Sequence, residues 1–243
     1  MRRRLIVALD VDSADRAMTL VEQTRDSVGC FKIGLQLFIQ EGPAIVARVK
    51  EAGADVFLDL KLHDIPNTIS AAARSVADLG AALFTVHCAN GGRGLSACVR
   101  SLAEHCGERG IPVPRMLGVT ILTSLSEADV HGLGFSRDVR GQVDLLAEGA
   151  YQAGLRGLVA SPLEAFELKK KFPDVYLVTP GIRPAGADSG DQSRVTTPSD
   201  AIQAGADALV VGRPITGAAE PAQAAARILA EMVEAFGSMA RTP

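Results

Sequence analysis

Residues 53–64 have the sequence GADVFLDLKLHD, and this stretch contains the pattern that organises the whole chain. A helical segment ends at Gly53, the apolar run Val56 to Leu58 follows, and charged residues begin at Asp59. Glycine commonly ends helices because it enters the left-handed conformation without a steric penalty. An apolar run without alternation is typical of a parallel strand that is covered on both faces. The stretch therefore predicts a helix end, a turn and a buried strand with a polar end.

The same order of helix, glycine and apolar strand recurs along the chain, at Gly80 before Leu83 to His87, Gly154 before Gly157 to Ala160, and Gly205 before Ala208 to Val211. Four more runs are interpreted as strands: Leu5 to Leu9, Cys30 to Gly34, Met116 to Thr120 and Val175 to Thr179. Amphipathic segments such as Ala14 to Arg25 and Pro43 to Ala52 lie between them. Eight alternating units favour an α/β fold, a single (β/α)8 TIM barrel over residues 1–243, with a doubly wound parallel sheet as the alternative.

Composition and charge exclude several classes of protein. The chain has 47% hydrophobic and 22% charged residues and a formal net charge of -3, which suits a globular protein and argues against nucleic acid as its main partner. The apolar run after Arg4 is too short for a signal peptide, and no apolar stretch approaches the ~20 residues of a membrane span. We therefore expect a cytoplasmic protein with no membrane partner. The cysteines form no C-x-x-C pair and the histidines are scattered, so no metal site is expected.

Charged residues at the predicted strand ends are the candidate site, because barrel active sites lie where strands end and loops begin. Asp59 and Lys61 are two residues apart, so a strand points both side chains to one face. Two charges inside a barrel must pair, and Lys32 on the neighbouring strand supplies a further partner. Such a group is either catalytic or a buried ion-pair network that only stabilises the fold.

Three segments near the strand ends add to this picture. Gly212-Arg213 follows the last predicted strand, where barrels often bind phosphate, so it indicates a phosphorylated substrate. The irregular stretch Pro180 to Pro198 is interpreted as either a lid or a surface loop. Asp64 is either a functional carboxylate or an N-cap, and Pro66 fits the first turn of a helix.

The motifs together resemble those of the orotidine 5'-phosphate decarboxylase family over nearly the whole chain. Residues 59–68, DLKLHDIPNT, are similar to the family signature D-x-K-x-x-D-I-P-x-T. Supporting matches, in the family's order, are Ala8-Leu9-Asp10, Phe31-Lys32-Ile33-Gly34, Leu122-Thr123-Ser124, Thr179-Pro180-Gly181-Ile182-Arg183 and Val211-Gly212-Arg213.

The resemblance implies roles for particular residues of these motifs and of the loop that follows Pro180. Lys61 would protonate C6 of the pyrimidine after carbon dioxide leaves, and Asp59 would lie against the departing carboxylate. The implied charge network consists of Lys32, Asp59, Lys61 and Asp64, with Asp64 and Thr68 reaching into the site of a partner subunit. The implied substrate contacts are Asp10 and Lys32 on ribose hydroxyls, Thr123 near the pyrimidine, and Arg183, Gln192, Gly212 and Arg213 on the phosphate. The resemblance also implies a homodimer that needs neither a metal nor an organic cofactor.

Two other functions are compatible with the same pattern. One is a magnesium-dependent sugar-phosphate decarboxylase on the same scaffold, such as 3-keto-L-gulonate 6-phosphate decarboxylase, which resembles this chain in its D-x-K-x-x-D core. The other is a catalytically inactive barrel that binds a nucleotide. The Ile65-Pro66-Asn67-Thr68 continuation favours the orotidine family over the first, and the complete charged set argues against the second. His63 is not expected to take part in catalysis, and His87 is interpreted as a hydrogen-bonded wall residue.

Overall fold

Eight parallel strands close into a barrel in the order in which they occur along the chain, in a computed structural model that describes residues 1–184 and 196–239. The strands are β1 (Leu5–Ala8), β2 (Cys30–Gly34), β3 (Asp55–Leu62), β4 (Leu83–His87), β5 (Arg115–Val119), β6 (Gly157–Val159), β7 (Tyr176–Thr179) and β8 (Ala208–Val211). The closing pair, β1 with β8, is parallel like all the others. The predicted barrel is confirmed, and the doubly wound alternative is wrong because the sheet has no open edge.

Helices cover the outside of the barrel. In the described residues they are α1 (Ala14–Thr24), α2 (Leu35–Glu41), α3 (Ala44–Glu51), α4 (Pro66–Asp78), α5 (Gly91–Arg109), α6 (Glu127–Gly132), α7 (Val139–Gln152), α8 (Pro162–Lys171), α9 (Pro198–Gln203), α10 (Arg213–Thr216) and α11 (Pro221–Met239). Gly53, Gly80, Gly154 and Gly205 all have positive φ, between 72° and 104°. The prediction that these glycines end helices in the left-handed conformation is therefore confirmed.

Alternation along each strand divides the apolar residues into two layers. Leu5 and Val7 belong to the large cluster between strands and helices, whereas Ile6 and Ala8 belong to a small cluster inside the barrel. The interior cluster also includes Phe57, whose neighbours along β3 pack outward. This small interior layer closes the barrel core and forms the floor of the site described below.

Strand β3 is longer and less regular than the sequence predicts. Its pairing with β4 shifts register, since Leu58 lies opposite Phe84 but Leu62 lies opposite Val86. Lys61, between them, has a φ of 51°, and it is the one non-glycine residue with positive φ in the described part of the chain. The polar end of β3 is therefore a bulge and not a straight continuation of the strand.

Three further expectations concern membrane-spanning helices, the cysteines and the number of domains. No helix within residues 1–184 and 196–239 is long and apolar enough to cross a membrane. The four cysteines are buried and unpaired. The expectation of one domain over residues 1–243 includes residues 185–195 and 240–243, which lie outside the described residues, and it stays a prediction.

Candidate active site

A cavity of about 470 Å³ lies at the carboxyl ends of the strands. Its floor is the interior apolar layer, and charged side chains from β1, β2, β3 and the segments after β7 and β8 stand around it. The cavity is lined by Ala8, Asp10, Lys32, Phe57, Asp59, Lys61, Val119, Ile121, Leu122, Thr123, Val159, Ser161, Val178, Pro180, Gly181, Arg183, Val210, Gly212, Arg213 and Thr216. A small-molecule site is typically concave with polar groups that converge on it, and this cavity combines an apolar floor with several charged groups.

Charges of alternating sign form a chain along one wall of the cavity. The Lys32 ammonium lies 2.9 Å from an Asp10 carboxylate oxygen and 3.5 Å from Asp59 Oδ2. The Lys61 ammonium lies 2.9 Å from Asp59 Oδ1. Asp59 is therefore held between two lysines, as expected for paired charges in a barrel interior.

The chain of charges is most buried at its centre, since the Lys61 side chain at its far end is 33% exposed. The Asp10 side chain is 61% exposed, but those of Lys32 and Asp59 are only 11% and 15% exposed. A Cβ atom at Gly34 would lie 3.2 Å from both Asp10 Oδ1 and Lys32 Nζ. Glycine at this position therefore leaves the room that the ion pair occupies.

The environment of Asp59 keeps its carboxylate ionised. Burial alone would raise the pKa of Asp59, but the charges of Lys32 and Lys61 lower it, and hydrogen bonds from Lys61 and Thr85 lower it further. The net effect is a pKa below the ordinary value of an aspartate. A fixed negative charge thus lies beside the Lys61 ammonium on the cavity wall.

Thr85 is a polar neighbour of this wall that the sequence did not reveal. Its hydroxyl donates to Asp59 Oδ1 at 2.9 Å and accepts from the Lys61 backbone N–H at 2.9 Å. The residue is 1% exposed and lies in the middle of β4, between apolar residues. It was not predicted because only polar residues at strand ends were considered as site candidates. Ser161, which lines the cavity directly after β6, was also missed, although the same strand-end rule points to it.

Two arginines line the cavity after β7 and β8. Arg183 is 7% exposed, and its backbone N–H donates to the Thr196 carbonyl, which ties together the two described ends of the segment after β7. Gly212 precedes α10, and Arg213 is its first residue. Arg183, Gly212 and Arg213 all line the cavity, together with Thr123 after β5. Gln192 and most of the predicted Pro180 to Pro198 loop lie outside the described residues.

Asp64 and Thr68 are the predicted site residues that do not line this cavity. Both are exposed, and Asp64 lies in a separate shallow depression with Asn90. The Asp64 backbone N–H donates to Asn90 Oδ1, and the Asn90 amide donates to the carbonyls of Leu62 and His87. The N-cap alternative for Asp64 is wrong: Ile65 occupies the N-cap of α4, with Pro66 at the first helical position as expected.

The two histidines near Lys61 lie outside the cavity lining. Their rings, His63 and His87, are 5.1 Å apart, and His87 Nδ1 is buried without a hydrogen-bond partner among the described residues. Burial lowers the pKa of His87, and the charges of His63 and Lys61 lower it further. His87 ends β4 but does not line the cavity, and no hydrogen bond at Nδ1 is found among the described residues, so the expectation of a hydrogen-bonded wall residue is not met there. Within residues 1–184 and 196–239, no three His, Cys, Asp or Glu side chains come together as metal ligands.

Comparisons with known proteins place this geometry in context. Residues 3–228 match the model of the "Orotidine 5'-phosphate decarboxylase / HUMPS family". The orotidine 5'-phosphate decarboxylase of Paramagnetospirillum magneticum is 47% identical over 227 residues, which cover 93% of this chain and 97% of that protein. The enzyme of the same name from Pseudomonas putida strain GB-1 is 46% identical over 228 residues, covering 94% and 96% of the two chains.

Solved structures agree with the sequence matches. The crystal structure of orotidine 5'-phosphate decarboxylase from Lactobacillus acidophilus has a TM-score of 0.83 and 36% identity, and the match covers 95% of this chain and 99% of that one. An uncharacterized conserved protein from Geobacillus kaustophilus has a TM-score of 0.81 and 37% identity over 94% of this chain and 99% of its own. The similarity therefore extends over nearly the whole chain.

Proposed function

Because this chain belongs to the orotidine 5'-phosphate decarboxylase family, we propose that its barrel cavity performs the decarboxylation with fixed protein charges alone and with Lys61 as the proton donor. The protein is a carboxy-lyase that converts orotidine 5'-phosphate to uridine monophosphate and carbon dioxide, the last step of de novo pyrimidine nucleotide synthesis. The observation that carries the mechanism is the Lys61 ammonium held 2.9 Å from Asp59 on the cavity wall.

The reaction itself defines what the cavity must supply. The bond between C6 and the carboxylate breaks, its electron pair stays on C6, and carbon dioxide departs. The ring offers no adjacent electron sink for that pair, so nearby positive charge must stabilise it. Enzymes lower activation barriers by ~8–23 kcal/mol in general, and this reaction requires the upper part of that range.

Lys61 meets both needs of the developing carbanion. Its ammonium stabilises negative charge at C6, then gives one proton to C6, and is protonated again from water. The neighbouring Asp59 carboxylate holds the Lys61 ammonium at the cavity wall through the ion pair at 2.9 Å. Repulsion between Asp59 and the substrate carboxylate is an additional contribution that is relieved as carbon dioxide leaves.

The remaining cavity residues bind the unreactive parts of the nucleotide. Asp10 and Lys32 hold ribose hydroxyls, and Thr123 contacts the pyrimidine. The phosphate is held by Arg183, Gln192, Gly212 and Arg213. The phosphate does not react, so its binding energy is available to close the Pro180 to Pro198 loop and to orient the ring. Binding of the phosphate therefore increases the rate of decarboxylation as well as the affinity for the substrate.

We further propose that the active unit is a homodimer in which Asp64 and Thr68 complete the partner's site. Their exposure, and their separation from the cavity of their own chain, support this arrangement. Mixing inactive Asp59→Ala and Asp64→Ala proteins should restore part of the activity, because one site of each mixed dimer then has both carboxylates. No recovery in dimers that are proven to be mixed would contradict the sharing.

One experiment tests the mechanism directly. Orotidine 5'-phosphate is incubated with pure protein in chelator, turnover is followed by ultraviolet absorbance, and uridine monophosphate is identified as the product. Turnover should be independent of metal, and Lys61→Ala should abolish nearly all of it while leaving the circular dichroism spectrum unchanged. Loss of activity on chelation would point to the magnesium-dependent lyases, and tight product binding without turnover to an inactive barrel. Substantial activity of Lys61→Ala would refute its role.

The proposal includes a cytoplasmic location. It is supported by the four buried cysteines, none of which forms a disulfide, as is usual in a reducing compartment. Cell fractionation with an antibody against the protein tests it, and recovery outside the cytoplasmic fraction would contradict it.

A further inference from the structure

We infer that Thr85 is a positioning residue for the decarboxylation, whose hydroxyl group holds the Asp59 carboxylate and the Lys61 backbone in one fixed arrangement. This inference rests on the proposed role of Lys61 as proton donor. Thr85 does not line the cavity, so it acts through its two neighbours and not on the substrate.

The position of Thr85 follows from the alternation along β4. Phe84 and Val86 pack outward into the large cluster between strands and helices. Thr85 lies between them and therefore points into the barrel, where it is 1% exposed. A buried hydroxyl in an apolar strand is costly unless it is hydrogen bonded. Here both hydrogen bonds of the Thr85 hydroxyl are made with residues of the charged cavity wall, Asp59 and Lys61.

The direction of both hydrogen bonds is determined by chemistry. The backbone N–H of Lys61 can only donate, so Thr85 Oγ1 accepts from it. The single hydroxyl proton then points to Asp59 Oδ1, which lies 2.9 Å away and can only accept while it is ionised. Thr85 therefore favours the anionic form of Asp59 and orients one particular oxygen of its carboxylate.

The bulge in β3 explains why Lys61 needs this partner. Residues 59–61 lie between the pairs Leu58↔Phe84 and Leu62↔Val86, so three residues of β3 face the single residue Thr85 of β4. Lys61 adopts a φ of 51°, a region that non-glycine residues rarely occupy. Its N–H is received by a side chain, which helps to hold the bulge in this conformation.

The two bonds together set the direction of the proton donor. Asp59 Oδ1 receives the Thr85 hydroxyl and the Lys61 ammonium, each at 2.9 Å. When the hydroxyl is removed, the carboxylate can turn and the bulge loses the acceptor of its N–H. The ammonium group would then move relative to C6, and displacements of about 1 Å can reduce rates by about 100-fold.

The test compares Thr85→Val, which keeps the shape and removes both bonds, with Thr85→Ser, which keeps the hydroxyl. We expect kcat of Thr85→Val to fall about 10- to 100-fold, whereas KM changes little because the phosphate contacts are remote. Thr85→Ser should retain most of the wild-type kcat. The acidic limb of the kcat profile should move to higher pH in Thr85→Val, because Asp59 loses a hydrogen bond that lowers its pKa.

Thr179→Val is the matched control on β7. The Thr179 side chain is buried, and its hydroxyl has no hydrogen-bond partner among residues 1–184 and 196–239. It lies two residues after Leu177, which packs outward into the large cluster, so it faces the helices and not the barrel interior. The same chemical change there should leave kcat and its pH profile unchanged.

The outcomes separate this inference from the proposed function. A folded Thr85→Val with wild-type kcat would overturn the inference, as would a Thr85→Ser as impaired as Thr85→Val. If Thr85→Val does not fold, Thr85→Ala removes the same hydroxyl and is compared with Thr85→Ser in the same way. A carbon-13 NMR titration of the Asp59 carboxyl group needs no turnover, and its signal is assigned by its disappearance in Asp59→Asn. The pKa of Asp59 should be higher in the variant that lacks the Thr85 hydroxyl than in the wild type. An unchanged pKa would also overturn the inference. Activity of Lys61→Ala would instead refute the proposed function.

Discussion

The unusual backbone of Lys61 leads to a prediction about stability that can be measured independently of activity. Its φ of 51° is unfavourable for any residue with a Cβ atom and free of that penalty for glycine. We compare Lys61→Gly with Lys61→Ala, because both lose the ammonium and its ion pair with Asp59 while only the alanine retains the strained conformation. The difference between these two variants therefore isolates the strain.

The magnitude follows from two opposing contributions. Left-handed backbone costs a non-glycine residue about 1–2 kcal/mol, and the greater freedom of glycine in the unfolded chain costs about 0.5–1 kcal/mol relative to alanine. Lys61→Gly should therefore be more stable than Lys61→Ala by about 0–1.5 kcal/mol, or about 0.75 kcal/mol at the midpoints of the two ranges. For a chain of this size, a difference of 1 kcal/mol corresponds to about 2–4 °C in Tm.

Urea denaturation, followed by circular dichroism, measures the difference from the midpoints at a common slope. Ala226→Gly in the exposed face of α11 is the control, because glycine in an ordinary helix costs about 1 kcal/mol relative to alanine. Both Lys61 variants should lack turnover. If Lys61→Gly were less stable than Lys61→Ala by the amount seen in the helix control, Lys61 would not have the left-handed conformation and the reasoning would fail.

Three further predictions concern the surroundings of the wall. Gly34→Ala places a Cβ atom 3.2 Å from both Asp10 Oδ1 and Lys32 Nζ, so the pair must shift and KM should rise more than kcat falls; an unchanged KM would contradict this. Because burial holds the pKa of His87 below its ordinary value of 6.5, the unfolded state binds more protons and stability decreases as the pH falls below about 6.5. His87→Gln should flatten that decrease in denaturation midpoints measured from pH 7 to 5, and an unchanged slope would count against it. Arg213→Ala should raise KM for the phosphorylated substrate, and no effect would mean that the phosphate site is misplaced.

Most of the barrel could be predicted because its signals are local. Helix-ending glycines and unbroken apolar runs occur within a few residues of each other, and the strands at Cys30–Gly34, Leu83–His87 and Ala208–Val211 have the predicted bounds. Short helices such as Leu35–Glu41 and Glu127–Gly132 were not predicted, because six or seven residues give too few turns for a clear apolar period.

The charged wall was predicted for a reason that is only partly right. A straight strand points Asp59 and Lys61 to one face, and both do line the cavity. The structure reaches that result through a bulge, which depends on the register between β3 and β4 and therefore on contacts far apart in sequence. The same long-range register creates the contact of Thr85 with both residues, so no pattern within β4 alone could have indicated it.

The distribution of charge in the cavity suggests how affinity and rate are separated. The charged lining residues are Lys32, Lys61, Arg183 and Arg213 against Asp10 and Asp59. Along the wall, each lysine is already paired with an aspartate, so a substrate carboxylate gains little net attraction there. The two arginines follow β7 and β8, where they can attract a phosphate. Binding energy would then come mainly from a group that does not react, and the lysine charge would be used most fully when carbon dioxide has left and negative charge appears on the ring.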